Sequence, residues 1–199
     1  MKTNLQKVYP TVWSRAEKVL KKDGVVVLPT DTLYGIVGRA LSRKAVERIY
    51  KIKGRNESKP FIVLITSYED LDLFGVKVGE KQAKFLEKIW PGKVSVILTC
   101  PLKKFEYLHR GTKSIAFRMI GPRNKNLFNL LKKVGPLVAP SANPQDFKHA
   151  ETITQAKKYF GKKIDFYLSS GLKISRSSTL IKFNNDKLIV LRQGEVFVK

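Results

Sequence analysis

Short apolar runs alternate with segments of helical periodicity along most of this 199-residue chain. Each run has the length of a strand, and each periodic segment ends at glycine or proline. We predict strands at residues 25–28, 61–65, 94–99, 114–119, 137–139, 179–183 and 187–191. This order predicts an α/β domain around a mixed sheet, and Asn184-Asn185-Asp186 between the last two strands predicts a β-hairpin.

Helices are predicted in the intervals before and between these strands. Glycine or proline should end them, and Ser67/Asp70 and Thr152/Gln155 have the spacing of capping boxes. The predicted helices cover residues 12–20, the segment from Ser42 to Gly54, 67–73, 83–90, 127–131 and 152–161. No repeat or linker divides the chain, so one domain over residues 1–199 is predicted.

The charge balance is strongly basic, with 39 Lys and Arg against 16 Asp and Glu, a net charge of +23. A chain this basic should attract polyanions such as RNA, DNA, anionic lipid or a phosphorylated small molecule. A merely solvated lysine-rich surface gives the same count. Both interpretations stay open at this level.

The cysteine, histidine and hydropathy patterns narrow the class of protein. Cys100 is the only cysteine, which excludes an internal disulfide and agrees with a reducing cytosol, and we predict it at the buried end of a strand. His109 and His149 are too few for a histidine-rich metal site, and we expect no role for either. No apolar run is long enough for a signal peptide or a bilayer span, which predicts a cytoplasmic protein without a membrane partner.

Three separated segments predict one anion-binding pocket. They are Pro-Thr-Asp-Thr-Leu-Tyr-Gly at 29–35, Lys-Gly-Arg at 53–55 and Pro-Ser-Ala-Asn at 140–143. Each places hydroxyls or cations at the end of a predicted strand or helix, where α/β folds bind phosphates and carboxylates. Each also has a plainer explanation: loop hydroxyls bond to their own backbone, and cations suit helix C-termini.

Further cations occur at comparable positions. Lys59 precedes a strand, Arg118 ends an otherwise apolar strand, and Arg192 follows the last strand. An arginine on an apolar strand favours an anionic ligand, because an unpaired buried charge is costly. Neither a phosphate-binding loop of the Gly-x-x-x-x-Gly-Lys-Ser/Thr type nor a Gly-x-Gly-x-x-Gly motif is present, which makes the common nucleotide-binding folds unlikely candidates.

Six ordered segments resemble the YrdC/TsaC family of threonylcarbamoyl-AMP synthases. The matching segments are Pro-Thr-Asp-Thr-Leu-Tyr-Gly at 29–35, Lys-Gly-Arg at 53–55, Trp-Pro-Gly at 90–92, Ala-Phe-Arg at 116–118, Ser-Ala-Asn at 141–143 and Leu-Arg-Gln-Gly at 191–194. The resemblance implies an open, twisted mixed sheet flanked by helices, with a positively charged central cleft. It runs from about Val25 to Gly194 and so covers nearly the whole chain.

The resemblance also implies a function. The family condenses L-threonine, bicarbonate and ATP to threonylcarbamoyl-AMP and releases pyrophosphate, for modification of an adenosine in tRNA. Mg²⁺ would enter with ATP, no metal site is expected in the protein itself, and tRNA or tRNA-modifying proteins are expected partners, with double-stranded RNA binding as a family property. By resemblance Lys53 and Arg55 are catalytic, and threonine and bicarbonate would contact Thr32, Arg118 and Ser178. ATP would contact Lys53, Arg55, Lys59, Ser114, Ser141, Asn143 and Arg192.

The chain departs from the family pattern at several positions. Pro144-Gln145-Asp146 replaces a usual Ser-Gly pair, Lys59 stands for asparagine, Leu64 for a histidine of some members, and Ser177 for an acid. These changes leave two alternatives open: a non-catalytic RNA-binding module of the same fold, and a related carbamoyl-adenylate enzyme.

Overall fold

Nine strands of the described residues form one mixed sheet. The computed structural model describes residues 11–56, 59–184 and 187–198. The strands are β1 Val26–Pro29, β2 Tyr34–Arg39, β3 Ile62–Ile65, β4 Val94–Thr99, β5 Ser114–Met119, β6 Leu137–Val138, β7 Phe166–Tyr167, β8 Thr179–Asn184 and β9 Lys187–Arg192. Their order across the sheet is β7-β1-β2-β6-β3-β5-β4-β8-β9. The α-helices are α1 Val12–Lys21, α2 Arg43–Lys53, α3 Glu69–Asp72, α4 Glu80–Ile89, α5 Glu106–His109, α6 Lys125–Val134 and α7 Ile153–Phe160.

The strand pairing confirms the prediction of a mixed α/β sheet. β1–β7, β3–β5 and β4–β8 are parallel pairs, whereas the other five neighbouring pairs are antiparallel. β8 and β9 form the predicted hairpin, although Asn185 and Asp186 of its turn lie outside the described residues. The predicted strands at 94–99 and 114–119 coincide with β4 and β5.

Successive side chains of a strand point to opposite faces of the sheet and belong to two apolar clusters, one on each face. In β1 and the residue before it, Val25 and Val27 join one cluster while Val26 and Leu28 join the other. The second cluster also holds residues of α1 and α6, and the first holds residues of α2, α4 and α7. Strong apolar strands of this kind are typical of sheets covered by helices on both faces.

Capping residues set the limits of the helices largely as predicted. The Ser42 hydroxyl accepts a hydrogen bond from the Ala45 amide at 3.2 Å and begins α2, and Gly54 ends it with φ 57°. Just after the end of α1, Asp23 adopts the left-handed region with φ 58°. Asp and Asn adopt this backbone region more readily than other residues with a side chain.

Gly38 allows α2 to lie directly on β2. A Cβ atom at this position would come within 3.0 Å of Ile49 Cδ1 and 3.1 Å of Ala45 Cβ. The prediction left residues 34–39 without a strand, because the glycines in this segment weaken the strand pattern. The small size of the residue is what the helix–sheet contact requires.

Two further short elements were not predicted, β7 and α5. Both have only two to four residues, too few for a periodicity to emerge. Cys100 is fully buried directly after β4, as predicted. Within the described ranges, no helix has the length and apolar character needed to cross a bilayer. Residues 1–10, to which the prediction on a signal peptide refers, lie outside these ranges.

The N-cap of α2 provides a test of the fold, because this helix carries Lys53 to the candidate site. Ser42→Ala should lower the free energy of unfolding by about 1 kcal/mol, since the Ala45 amide loses its acceptor. Ser42→Asp is the matched control and should stay within a few tenths of a kcal/mol of the native protein. Urea denaturation followed by circular dichroism measures both, and equal stability of the alanine variant and the native protein would refute the assignment.

Candidate active site

One cavity of about 610 Å³ gathers most of the residues that the sequence singled out. It lies over the centre of the sheet, where Ile62 of β3, Ala116 of β5 and Ile97 of β4 are cross-strand neighbours. The predicted site residues that line it are Thr32, Arg55, Lys59, Ser114, Arg118, Ser141, Ser178 and Arg192. Lys53 and Asn143 are absent from the lining.

Alternation along β5 turns three residues toward this cavity. Ser114, Ala116 and Arg118 line it, whereas Phe117 points to the opposite face and packs in the core. The Ser114 hydroxyl donates to Thr112 Oγ1 at 3.2 Å, which places a second hydroxyl at the same edge of the cavity. The strand therefore carries a guanidinium at one end of the cavity and hydroxyls at the other.

Arg118 is the most deeply buried cation of the cavity, with 3% of the residue exposed. Its Nη2 lies 2.9 Å from Asp31 Oδ1, but the two atoms are not aligned as a hydrogen bond, and within the described part of the chain Arg118 Nε has no hydrogen-bond partner. Burial lowers the pKa of Arg118, and the Asp31 carboxylate opposes this shift. The guanidinium therefore retains donors that a carboxylate ligand could satisfy.

The loop between β1 and β2 presents two buried threonines. Thr30 Oγ1 donates to the Leu33 carbonyl at 2.7 Å and lies 3.3 Å from Thr32 Oγ1. The Thr32 amide in turn donates to Thr30 Oγ1 at 3.2 Å. Thr30 thus fixes the turn. Thr32 lines the cavity, and among the described residues its hydroxyl contacts only the hydroxyl of Thr30.

Arg192 connects the end of β9 to the residue before β8. Its Nε and Nη2 donate to the Ser178 carbonyl at 3.2 and 2.9 Å, and Ser178 Oγ lies 2.9 Å from Ser95 Oγ. The pKa of Arg192 is lowered first by burial and then by repulsion from Arg118 and Arg55. This repulsion indicates that the three guanidinium groups share one electrostatic environment.

Arg55 and Lys59 bound the cavity on the side of α2. Arg55 Nε donates to the Lys59 carbonyl at 3.1 Å, and its guanidinium lies 5.4 Å from the centre of the Phe61 ring. Burial lowers the pKa of Arg55. The lining thus includes Arg55, Lys59, Arg118 and Arg192, and among the described residues that line it there is no Asp or Glu.

Lys53 lies behind the cavity and holds the loop that follows β6. The residue is 3% exposed, and its Nζ donates to the Ser141 carbonyl at 2.6 Å and also to the Asn143 carbonyl. Burial lowers the pKa of Lys53 to about 7, and Arg55 adds repulsion. Direct contact of Lys53 with a ligand stays a prediction, and the observed contacts are those of a positioning residue.

Hydrogen bonds of the Asn143 side chain hold the loop after β6. Asn143 accepts from Ser141 Oγ at 2.6 Å and donates to the carbonyls of Pro144 and Phe147. Asp146, in the segment that departs from the family pattern, adopts a φ of 65°, a backbone region that aspartate tolerates. The contact of Asn143 with a nucleotide likewise stays a prediction.

His149 also lines the cavity, although no role was predicted for it. It follows the same loop, three residues after Asp146, and no motif or spacing marks it. The described residues contain no cluster of three or more His, Cys, Asp or Glu side chains that could hold a metal ion.

The lowered pKa of buried Lys53 should make the free energy of unfolding depend on pH. The native pKa is near 7 and the ordinary value is 10.5, so the unfolded chain binds the additional proton between these pH values. Raising the pH from about 7 to about 10 should therefore stabilise the native protein relative to Lys53→Met. Urea titrations of both proteins across this range measure the difference, and a constant difference would contradict the lowered pKa.

Comparison with known proteins extends the observations made on the cavity. A putative threonylcarbamoyl-AMP synthase of Methanocaldococcus jannaschii is 31% identical over 98% of this chain and 95% of its own length. The threonylcarbamoyl-AMP synthase of Pyrococcus abyssi is 28% identical over 88% of this chain, which spans only 52% of that relative. The crystal structure of P. abyssi Sua5 complexed with L-threonine superimposes with a TM-score of 0.83 at 27% identity, covering 92% of this chain and 54% of that one.

The family model Sua5/YciO/YrdC, described as telomere recombination, matches residues 18–194. These residues include every element from the second half of α1 to the end of β9, and all the cations of the cavity. The chain therefore belongs to the Sua5/YciO/YrdC family.

Proposed function

We propose that this chain is an L-threonylcarbamoyladenylate synthase, a nucleotidyltransferase. It would condense L-threonine, bicarbonate and ATP to threonylcarbamoyl-AMP and release pyrophosphate. The observation that carries the proposal is the convergence of Arg55, Arg118, Arg192 and Ser141 on one cavity of about 610 Å³. The names of the relatives support the same activity, although the chain spans only about half of the P. abyssi protein.

The chemistry requires neutralisation of negative charge more than a protein nucleophile. Threonine amine and bicarbonate give a carbamate, which is itself an anionic nucleophile. Its attack on the α-phosphate of ATP brings together two anions and expels a third, pyrophosphate. Fixed cations that are already in place stabilise such a transition state without reorganisation, and alignment of the two reactants supplies much of the remaining rate.

Threonine would occupy the end of the cavity formed by Thr32, Arg118 and Ser178. Arg118 suits a carboxylate because a guanidinium presents paired donors to a planar anion, and because its Nε finds no acceptor among the described residues. Asp31, 2.9 Å from the same guanidinium, would hold Arg118 in place before the substrate arrives. This assignment agrees with the role that the family resemblance implies.

ATP and the bicarbonate-derived group would lie against Arg55, Lys59, Ser114, Ser141 and Arg192. Lys53 would support this end by fixing the carbonyls of Ser141 and Asn143. The described residues around the cavity supply no set of carboxylates for a cation. We therefore propose that Mg²⁺ arrives as part of the Mg–ATP substrate, held by phosphate oxygens and water.

The product would serve threonylcarbamoyl modification of an adenosine in tRNA. The partners of the protein would then be tRNA or the proteins that transfer the group to it, and its compartment would be the cytoplasm. The net charge of +23 would favour contact with RNA by a non-specific electrostatic term.

The two arginines at opposite ends of α2 give a matched test of the activity. Arg55→Ala should lower threonine-dependent release of pyrophosphate by about 100-fold or more, because one cation that faces the reacting anions is lost. Arg43→Ala removes an arginine that is largely exposed and outside the cavity, and should leave the rate unchanged. The assay contains ATP, bicarbonate, Mg²⁺ and labelled threonine, with thermal unfolding to verify both folds.

The same assay separates the alternatives. Pyrophosphate release that is equal without threonine would indicate another carbamoyl-adenylate chemistry. Salt-sensitive binding of tRNA without any turnover would indicate an RNA-binding module. If Arg55→Ala and Arg43→Ala changed the rate equally, the proposal that the reaction takes place in this cavity would be wrong.

A further inference from the structure

His149 is held at the cavity by backbone contacts on either side of the loop that follows β6. The amide of the next residue, Ala150, donates to the Ala142 carbonyl at 3.0 Å, which ties His149 to the segment between Ser141 and Asn143. The Glu151 carbonyl accepts from the Lys173 amide at 2.8 Å. The imidazole is half-buried and lines the same cavity as the arginines.

The titratable groups that line the cavity differ in their ability to accept a proton. Guanidinium groups stay protonated, which removes Arg55, Arg118 and Arg192 as bases. Ammonium and phenol groups as a class are weak acids that keep their protons at neutral pH. Among the described lining residues, His149 is the one with an imidazole, the side chain that most often serves as a general base in proteins.

The proposed reaction needs such a base, because threonine reaches the protein as an ammonium ion. Only the neutral amine carries the lone pair that attacks bicarbonate. The guanidinium groups around the cavity disfavour a second positive charge, so they favour release of this proton. A proton acceptor within the cavity would complete the step.

We propose that His149 is the general base that deprotonates the α-ammonium group of threonine. The imidazole takes one proton from the ammonium group, and the amine lone pair then forms a bond to the bicarbonate carbon. The C–O bond to the bicarbonate hydroxyl breaks, and this hydroxyl takes a second nitrogen proton and departs as water. Threonine ammonium, imidazole and bicarbonate thus give carbamate, imidazolium and water, with no change of total charge or oxidation state. This inference rests on the proposed function and assigns a role in it to a residue outside the family motifs.

Several charged groups near His149 could influence how readily it accepts a proton. Lys148 and Glu151 flank it on its own loop and form an ion pair at 2.9 Å. Lys173 lies on the segment bonded to Glu151, and Arg55, Lys59, Arg118 and Arg192 line the cavity that it faces. The Glu151 carboxylate interacts electrostatically with His149 and is itself paired with Lys148.

The reverse reaction separates a base from a binding residue. Formation of ATP from threonylcarbamoyl-AMP and pyrophosphate breaks the bond between carbamate and phosphorus and removes no amine proton. His149→Gln should therefore lower the forward rate at about pH 7 by about 100-fold or more, while the reverse formation of ATP stays within about threefold of the native rate. The forward loss should shrink from about pH 7 to about pH 9, as threonine loses its proton to solvent.

Lys158→Gln, at an exposed position of α7 outside the cavity lining, is the control and should leave both directions unchanged. His149→Asn provides a second variant in case glutamine disturbs the loop, and thermal unfolding monitors each protein. Equal loss in both directions, an unchanged forward rate, or a forward loss that is independent of pH would each overturn the assignment to a base. A native protein that forms no threonylcarbamoyl-AMP would instead refute the proposed function, and this inference with it.

Discussion

The burial of like charges around one cavity is the constraint on which the rest of the structure depends. Arg55, Arg118 and Arg192 are all lowered in pKa by burial, and Arg192 is lowered further by the other two. Only Asp31 is close enough to form an ion pair with one of them in the part of the chain that is described. Such an arrangement costs folding free energy, and an anionic ligand would recover it.

Elements that are distant in sequence hold these charges in place. Arg118 lies on the cavity face of β5, and Arg192, at the end of β9, donates to the Ser178 carbonyl. α2 delivers Arg55 just past its capping glycine and anchors the loop after β6 through Lys53. The two apolar clusters fix the positions of these elements, so the helices on both faces of the sheet determine the geometry of the site.

Much of this fold was predictable, because the long elements carry strong local signals. β4, β5 and α2 follow from apolar periodicity and from caps such as Ser42 and Gly54. β2 was missed because its glycines weaken the strand pattern. One of them, Gly38, is required for the close contact with α2 and contributes nothing to strand propensity. Short elements such as β7 are stabilised by their neighbours in the sheet, a tertiary effect that no local pattern contains.

The site was predictable to a similar degree, and for comparable reasons. Eight members of the cavity lining were predicted, five of them within the six matching segments, since several of these residues lie at the ends of strands that meet at the centre of the sheet. The position of Lys53 behind the loop and that of His149 within the cavity depend on how segments distant in sequence pack together. Spacing within a single segment carries no information about such contacts.

Calorimetric titration of threonine tests the central claim most directly, because that claim concerns a carboxylate ligand and a phosphate ligand in one cavity. In the presence of a saturating, unreactive analogue of ATP, threonine should bind the native protein with one site per chain. Arg118→Gln, combined with Asp31→Asn to remove the partner charge, should abolish the binding of threonine and retain that of the analogue. Undiminished binding of threonine to this double variant would contradict the account.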